Sequence, residues 1–545
     1  MQNAVSETQF DYIIVGAGSA GCVLAERLSA NGRHRVLVLE AGGSDRRFYV
    51  HLPLGYGKLF YDPAVNWMYT TEPDPGLAGN RDHWPRGRIL GGSSSINAMV
   101  WIRGHASDYD DWRAVAGDAW GPQAVRAAYR QIEDNEAGSD AFRGTGGPLF
   151  ISANRRGLHP LCDMYTRAAN AAGLPFNADF NGAEQEGVGI YQMTIKGSRR
   201  NSAARAFLRP AMKRRNVTVI TDAQVSRVIF EGRRAVGVDY RHKGTLRQIR
   251  AGREVILSGG AINSPQLLML SGIGAAEHLK GKGLPVVVDN PNVGAHLNDH
   301  QGLNYTWRMK VPTYNDILRP WWGKMWVGMQ YFLTGGGPLA KSINHAGGFF
   351  RTSPDLPRPN MQLYMQAFST LIPRDGERPL LTPDPFSGLS LGLSNCRPTS
   401  RGQITLHSAD PFAHPKIVAN AYSTEHDVAE MLAAVKFLRQ IAACDPMRGL
   451  VAEELRPGPE VQSDADLIAD IRARSGTVYH PSCTARMGKN AATSVVDPNL
   501  KVHGTEGLRV CDASVFPTLI GGNTNAPSIL VGWIGADRIL ADAQA

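Results

Sequence analysis

A glycine-rich turn near the N-terminus constrains the fold more than any other feature of this chain. An apolar run at 10–15 leads directly into GAGSAG at 16–21, and the pattern predicts a helix over 22–30. A second apolar run, 35–39, ends at Glu40. Strand, glycine turn, helix and strand in about thirty residues form a βαβ unit, which indicates a parallel α/β sheet with a right-handed crossover.

The turn has the composition of a dinucleotide-binding loop. Gly16, Gly18 and Gly21 allow a tight turn and a close approach of the backbone to a pyrophosphate, whose charge the helix N-terminus attracts. Glu40 stands where an acidic residue can accept hydrogen bonds from both hydroxyls of an adenosine ribose. The sequence therefore predicts dinucleotide binding, with a glycine-tightened packing turn as the alternative. This motif alone does not choose between NAD and FAD.

The composition is that of a globular protein. The 545 residues suffice for two or more domains, and 43% hydrophobic with 20% charged residues argues against disorder. The net charge of +9 is spread along the chain without a run of five or six like charges, which argues against nucleic-acid binding. A mild attraction for anionic substrates or membrane surfaces stays open. The six cysteines form no C-x-x-C pair, so we expect reduced, mostly buried thiols.

The expected location follows from the apolar pattern and the N-terminus. No run of 18 apolar residues is present, so no transmembrane helix is expected. The first residues are polar and slightly acidic, unlike a secretory signal. We therefore expect a cytoplasmic protein, with peripheral association with the inner membrane left open and the oligomeric state not predicted.

The remaining chain predicts further α/β structure and a second domain. Strand signals return at 217–220, 225–230 and 255–257, and they alternate with helical stretches. Residues 310–475 have a different character: they are aromatic-rich at first and contain a long amphipathic helix from about 425 to 442. We interpret this region as a domain on the substrate side.

Several loop motifs resemble the signature stretches of the glucose–methanol–choline (GMC) oxidoreductases. These are RILGGSSSIN at 88–97, GGAINSPQ at 259–266 with SGIG at 271–274, YHPSCT at 479–484, and DAS at 512–514 with GNTN at 522–525. The likeness runs from about residue 10 to 540, with the motifs in the family's order. It implies tightly bound FAD and an α/β (α+β) fold.

In that fold a Rossmann-like FAD-binding domain is interleaved with a substrate-binding domain built on a mostly antiparallel sheet with helices. The resemblance divides the chain into an FAD-binding domain of 8–158, 216–306 and 478–545, and a substrate-binding domain of 159–215 and 307–477. Carried over position by position, the glycine turn would hold the pyrophosphate, Glu40 the adenosine ribose and the Val225 backbone the adenine. The predicted cofactor-binding residues are Gly16, Gly18, Ser19, Ala20, Gly21, Glu40, Ala41, Arg88, Gly91, Gly92, Ser93, Asn97, Ala98, Val100, Val225, Asp512, Ala513, Asn523, Asn525 and Pro527.

One departure from the family pattern bears on how the cofactor is held. Some members, choline oxidases among them, carry a histidine in the Gly-Gly loop that bonds covalently to the flavin. The corresponding position here is Ile96. Because an aliphatic side chain cannot form that bond, we predict non-covalent FAD.

The resemblance implies His480 and Asn523 as the catalytic pair. Oxidising an alcohol removes a proton from its oxygen and a hydride from its carbon, and in this family the hydride goes to flavin N5. A neutral imidazole suits the role of base because its ordinary pKa of about 6.5 lies near working pH. The amide of Asn523 can donate a hydrogen bond to the developing alkoxide.

The expected substrate is a primary alcohol, polyol or sugar. Choline dehydrogenases of the family carry a glutamate before an Ala-Gly-Gly-Phe stretch, where this chain has His345, so a cationic substrate is disfavoured. Residues 180–182, 189–193 and Cys483 are similar to sorbose and alcohol dehydrogenases of the family. We expect a quinone or other carrier as electron acceptor. The alternatives are an alcohol oxidase that makes hydrogen peroxide, a hydroxynitrile lyase with structural FAD, a non-catalytic flavin-binding protein and an NAD-dependent dehydrogenase.

Two further groupings are less informative. Trp321, Trp322, Met325, Trp326 and Met329 recur at helical spacing, which fits a membrane-interface face or a substrate lid, but a core-facing helix is favoured. His296, His300 and His503 lack metal-ligand spacing, so no metal site is predicted.

Overall fold

The computed structural model describes residues 10–155, 157–370 and 382–544. The N-terminal residues 1–9, on which the expectation of a cytoplasmic location rests, lie outside these ranges. Among the helices of the described ranges, none combines the length and apolar character needed to cross a membrane.

Short strands and helices alternate along the chain. The strands are Phe10–Val15, Val36–Leu39, Tyr69–Thr70, His83–Trp84, Glu133–Asn135, Leu149–Ile151, Gly187–Ile190, Ile195–Lys196, Arg199–Arg200, Val217–Ile220, Ala223–Glu231, Arg234–His242, Thr245–Leu257, Ile273–Gly274, Val288–Asp289, Gln301–Met309, Ala346–Phe350, Met361–Gln366, Gly388–Asn395, Gln403–Thr405, Lys416–Val418, Val451–Arg456, Gly476–Thr477 and Leu508–Val510. The α-helices are Ser19–Ser29, Phe48–His51, Tyr56–Leu59, Ala106–Ala116, Pro122–Ile132, Leu161–Ala171, Arg209–Ala211, Gly260–Leu270, Ala276–Gly281, Tyr314–Leu318, Trp321–Thr334, Glu425–Ala443, Met447–Leu450, Asp464–Arg474 and Asn525–Asp542. The 3-10 turns are Pro53–Gly55, Pro75–Leu77, Gly92–Ser95, Asp118–Trp120, Pro338–Ala340 and Ala513–Val515, and Ala204–Leu208 forms a π-helical turn.

The first large sheet contains the predicted βαβ unit. Strand Phe10–Val15 pairs in parallel with Val36–Leu39 on one side and with the end of Thr245–Leu257 on the other. Val217–Ile220 and Leu508–Val510 extend this parallel core outward. The central strands are buried on both faces, which explains their continuous apolar runs. The predicted strand and crossover helix are therefore confirmed.

The second large sheet is antiparallel throughout its six-strand path. In spatial order its strands are Val451–Arg456, Gln301–Met309, Gly388–Asn395, Met361–Gln366, Ala346–Phe350 and Gly187–Ile190. Helix Glu425–Ala443 covers it with an apolar stripe that includes Met431, Val435 and Leu438. The Thr424 side chain accepts a hydrogen bond from the Asp427 N–H and so caps the helix. The predicted mixed α/β architecture is confirmed.

The predicted domain boundaries do not coincide with the two sheets. Strand Gln301–Met309 lies wholly in the second sheet, so the boundary after residue 306 falls inside a strand. Residues 203–208, assigned to the substrate-binding domain, pack into the core beside helix Ser19–Ser29.

Helix Trp321–Thr334 corrects an expectation, because its aromatic residues do not face the core. The residues that it buries are Gly323 and Val327. A side chain at Gly323 would lie 2.0 Å from the Ile317 carbonyl oxygen, so glycine permits the close approach on that face. The bulky side chains of Trp321, Trp322, Met325, Trp326 and Met329 consequently point outward and are 42–75% exposed.

The cysteines behave as expected. All six are free; five are buried and Cys444 is partly exposed. Burial raises the pKa of the Cys483 thiol to about 11, so this thiol in the family-like YHPSCT loop stays protonated.

Candidate active site

A cavity of about 1000 Å³ lies between the two large sheets. Val15 and Leu39 of the first sheet line one end, and Tyr364 and Leu393 of the second sheet line the other. It is long enough to join the glycine turn to His480, since residues of both line the same space. A single ligand can therefore contact the predicted cofactor turn and the predicted catalytic residues together.

Close backbone packing shapes the glycine turn at one end of the cavity. Gly16 has φ +102°, and a side chain there would lie 2.4 Å from the Ser258 carbonyl oxygen. A side chain at Gly21 would lie 2.0 Å from the Gly16 carbonyl oxygen, so helix and strand meet without space for any other residue. Helix Ser19–Ser29 begins here with no side-chain cap, and its first residues line the cavity. The uncapped N–H groups fit a pyrophosphate.

Glu40 stabilises this turn by accepting backbone hydrogen bonds with both carboxylate oxygens. Its Oε2 accepts a hydrogen bond from the Ala17 N–H at 2.9 Å, and its Oε1 accepts one from the Gly42 N–H at 2.8 Å. Burial raises the pKa of Glu40 to about 7 despite these two donors. The side chain also lines the cavity, where its remaining lone pairs can accept ribose hydroxyls.

The Gly-Gly loop packs directly on the glycine turn. Gly92 has φ +52°, and a side chain there would lie 2.7 Å from the Gly18 Cα. The buried Arg200 holds the far end of the loop, because its Nη1 donates to the Asn97 carbonyl at 2.7 Å and to Asn97 Oδ1 at 2.8 Å. Burial lowers the pKa of Arg200 to about 9. Sequence reasoning missed Arg200, since it lies in a polar stretch without a recognisable motif.

Asp512 connects the C-terminal motif to residues 260–264, and its side chain lies on the cavity wall. It accepts hydrogen bonds from the Ser264 hydroxyl at 2.5 Å, the Gly260 N–H at 2.8 Å and the Ser514 N–H at 2.8 Å. Ser19 donates to Asn525 Oδ1 at 2.8 Å, which joins the glycine turn to the last helix. Motifs separated by up to 506 residues thus converge on one site.

Most of the predicted cofactor residues line the cavity. These are Gly16, Gly18, Ser19, Ala20, Glu40, Ala41, Gly92, Ser93, Asn97, Ala98, Val100, Val225, Asp512, Ala513, Asn523 and Asn525. The other four pack behind its wall: Gly21 against the Gly16 carbonyl, Arg88 over the Trp67 ring, Gly91 against Ser95, and Pro527 in the buried first turn of Asn525–Asp542. Their direct contact with a cofactor stays a prediction.

His480 and Asn523 meet on the wall of the same cavity. Asn523 Nδ2 lies 3.1 Å from His480 Nε2, and Asn523 Oδ1 accepts a hydrogen bond from Gln362 Nε2 at 3.2 Å. This acceptor role orients the amide so that its NH₂ group faces the imidazole. His480 is 8% exposed and lines the cavity. The structure therefore brings the predicted pair together.

A second histidine sets the proton position on His480. His300 Nε2 lies 2.9 Å from the Cys396 carbonyl oxygen, which can only accept, so this nitrogen carries the hydrogen of the neutral ring. His300 Nδ1 is then an acceptor, and His480 Nδ1, 2.9 Å away, must donate to it. The Nε2 lone pair of His480 is left facing Asn523 and the cavity.

The surroundings keep His480 neutral. Burial, the neighbouring His300 and Arg86 hold its pKa well below the ordinary histidine value. Burial also lowers the pKa of His300 to about 4. His480 is anchored through its backbone N–H, which donates to Asp299 at 2.8 Å. Sequence reasoning considered His300 only as a metal ligand and missed Asp299 and Gln362, because none of them stands near the YHPSCT motif.

The charges on the cavity wall are unevenly placed. Among the described residues that line it, the carboxylates are Glu40 and Asp512, both at the dinucleotide end. Around His480 the wall is aromatic, with Tyr56, Phe60 and Tyr479. Lys58 and Lys324 line the cavity as well. Arg86 lines the cavity too and helps to lower the pKa of His480, so the aromatic wall around this base also carries a positive charge.

A glycine turn of the dinucleotide-binding type that shares a cavity with a buried histidine fits a nucleotide-dependent oxidoreductase. Two family models, both described as GMC oxidoreductase, match residues 10–302 and 398–532. The chain belongs to the GMC oxidoreductases, which are FAD-binding flavoproteins.

Relatives within the family cover the chain almost end to end. An alcohol dehydrogenase [acceptor] of Pseudomonas putida is 43% identical, with 97% of this chain and 96% of that protein aligned. A mitochondrial choline dehydrogenase of Mus musculus is 40% identical over 98% of this chain and 90% of its own. Among solved structures, a formate oxidase aligns with TM-score 0.91 and 28% identity over 98% of this chain and 99% of its own. A pyridoxine 4-oxidase from Mesorbium loti gives 0.88 and 29% over the same shares.

Proposed function

We propose that this protein oxidises an uncharged alcohol to the aldehyde or ketone, with FAD as cofactor and His480 as base. The observation that carries the proposal is the unprotonated Nε2 of His480, which lines the cavity and accepts a hydrogen bond from the Asn523 amide that a substrate hydroxyl can replace. That arrangement can remove a proton from a hydroxyl group and hold the oxygen that remains.

Each of the two residues has one task in this reaction. A substrate hydroxyl within reach of His480 Nε2 and Asn523 Nδ2 gives its proton to the imidazole, while the amide N–H stabilises the developing alkoxide. His300 accepts from His480 Nδ1 and keeps the ring in the tautomer that this step needs. FAD, when bound along the cavity, supplies the hydride acceptor.

We propose that the cofactor is held without a covalent bond. Ile96 lines the cavity, is 2% exposed and has no nucleophilic atom. Retention would rest on Glu40, the uncapped helix N-terminus and the Gly-Gly loop. Acid precipitation should release free FAD into the supernatant; yellow colour that stays with the protein would contradict this part of the proposal.

The substrate class follows from the wall around His480. Among the described residues that line that end none is a carboxylate, so none of them offers a quaternary ammonium a partner of opposite charge. His345, at the place of the glutamate in choline dehydrogenases, is 2% exposed, and burial lowers its pKa to about 3. We therefore favour a primary alcohol, polyol or sugar over choline.

For the electron acceptor we propose a quinone or other carrier. The alcohol dehydrogenase [acceptor] relative supports this assignment, while the oxidases among the solved structures keep direct use of oxygen as the alternative. Anaerobic mixing with alcohols, polyols and choline tests both questions. Loss of flavin absorbance with an uncharged alcohol supports the substrate class, and slow recovery in air supports a dehydrogenase. Bleaching by choline alone would overturn the substrate class, and cyanide release from a cyanohydrin without bleaching would indicate a lyase.

A further inference from the structure

One surface of the protein is strongly apolar and exposed. On helix Trp321–Thr334 the side chains of Trp321, Trp322, Met325, Trp326, Phe332 and Leu333 are each more than half exposed. Phe48 and Tyr49 continue this surface, since the Phe48 ring stacks on Phe332 with centroids 5.9 Å apart. We call these eight residues the tryptophan face. A contiguous apolar patch with several exposed tryptophans marks an interaction surface.

Basic residues surround the tryptophan face. The face and its immediate surroundings belong to segments 46–58, 194–209 and 319–341. The first and third segments touch through the Phe48–Phe332 stack, and the Tyr331 hydroxyl donates a hydrogen bond to the Ser198 carbonyl at 3.1 Å. The three segments contain 11 Lys and Arg residues and no Asp or Glu; of these, Arg200 is buried and Arg209 pairs with Asp45. Most of these bases are at least partly exposed. The partner of this face is therefore expected to be apolar and negatively charged.

We propose that the tryptophan face docks on the surface of a bilayer that contains anionic phospholipid. Tryptophan and tyrosine side chains favour the boundary between headgroups and acyl chains, and flanking lysines and arginines favour anionic headgroups. Helix Trp321–Thr334 carries one charge, Lys324, and lies at the surface with its apolar side outward. This is the arrangement of an interfacial helix.

The charge pattern distinguishes a bilayer from a second copy of the chain. If two copies met through this face, the Lys and Arg residues around each face would lie close together, and like charges across an interface oppose association. Protein interfaces are also depleted in lysine, whereas Lys58 and Lys324 flank the aromatic residues here. An anionic lipid surface satisfies both the apolar and the basic parts of the face.

Docking in this way would set the cavity mouth at the membrane surface. Phe48, Tyr49 and Phe332 of the tryptophan face also line the cavity, as do Lys324 and Val327. A hydrophobic molecule dissolved at the lipid interface would therefore reach the cavity without first crossing water.

The test is flotation of the FAD-loaded protein with vesicles of phosphatidylcholine, with and without phosphatidylglycerol. We expect at least tenfold tighter binding to the anionic vesicles, since each basic residue near such a surface adds about fivefold. The double variant Trp322→Ser/Trp326→Ser should weaken that binding by at least tenfold. Neither residue lines the cavity, so turnover of a water-soluble substrate should be unchanged. Phe176→Ser, at a 65% exposed aromatic remote in sequence from the three segments, is the matched control.

A charge variant separates the two parts of the interaction. Arg46→Gln/Arg47→Gln should reduce binding to anionic vesicles and leave binding to pure phosphatidylcholine unchanged. Equal binding by wild type and Trp322→Ser/Trp326→Ser would overturn the proposal, as would the absence of binding to anionic vesicles. A concentration-dependent dimer in lipid-free solution that this double variant abolishes would assign the face to a second copy and would also overturn it.

Discussion

His300 and His480 face each other through their Nδ1 atoms at 2.9 Å, and only one of these atoms can carry the hydrogen. The Cys396 carbonyl decides which one, because it accepts from His300 Nε2 at 2.9 Å and leaves His300 Nδ1 as an acceptor. His480 therefore donates from Nδ1 and presents an Nε2 lone pair to the cavity. The pairing therefore predicts how replacing either histidine, or lowering the pH, should change turnover.

Replacing the base should slow turnover by orders of magnitude without loss of cofactor. In His480→Ala the cavity keeps the glycine turn and Glu40, so FAD content is expected to equal that of the wild type. The loss of positioned base catalysis should lower kcat by about 10²–10⁴. Stopped-flow bleaching by a saturating alcohol measures the effect. A near-normal kcat would show that another group removes the proton.

Replacing His300 should impair catalysis through the orientation of His480. His300→Leu removes the acceptor for His480 Nδ1, so the ring loses its preferred tautomer and kcat should fall about 10- to 100-fold, with KM little changed. In His300→Gln the amide can again accept from His480 and donate to the Cys396 carbonyl, so most of kcat should return. Equal losses in both variants would indicate a packing role instead.

The pH dependence of the wild type follows from the depressed pKa of His480. The imidazole is the active base only when neutral, so activity is full above its pKa and is lost as pH falls below it. Because burial, His300 and Arg86 lower that pKa, the acid limb of kcat/KM should lie below pH 6.5, the ordinary histidine value. Anaerobic flavin reduction measured across pH tests this. An acid limb centred above pH 6.5 would contradict it.

Glu40 should control cofactor affinity. In Glu40→Gln the side-chain NH₂ group must face either the Ala17 or the Gly42 N–H, so one backbone donor loses its acceptor at a cost of about 1–3 kcal/mol. We expect FAD to bind about tenfold more weakly, measured by flavin fluorescence during reconstitution of the apoprotein. Asp239→Asn, in the surface pair with Arg227, is the control and should bind FAD normally.

Much of the cofactor half of the molecule was predictable from local sequence. The strands Phe10–Val15 and Val217–Ile220 have the bounds that their apolar runs predict, and the helix between the first two strands begins three residues earlier than expected. Glycine positions were informative because a side chain at Gly16 or Gly21 would collide with backbone atoms nearby. The Gly21 constraint acts within one turn and so leaves a local pattern, whereas the Gly16 constraint comes from Ser258, which is distant in sequence.

The substrate half was less predictable. Helix Trp321–Thr334 is apolar on nearly every side, so its pattern favoured burial and gave no orientation. Its outward aromatic face is set by Gly323, which packs on the Ile317 backbone. The division of the chain into domains stays a prediction, and strand pairing adds that Gln301–Met309 belongs to the second sheet, which local sequence does not show.

The amino-acid sequence by itself determined the βαβ unit, the acidic residue at its second strand and the motif that carries His480, because each depends on neighbours along the chain. Tertiary structure alone decided which nitrogen of His480 is unprotonated, since His300, which accepts from the other nitrogen, is 180 residues away in sequence and is itself oriented by the Cys396 carbonyl. It also decided that Arg200 holds the Gly-Gly loop and that the tryptophan face is exposed. These features depend on contacts between distant segments, and hydrogen bonds of that kind leave no periodic trace in the sequence.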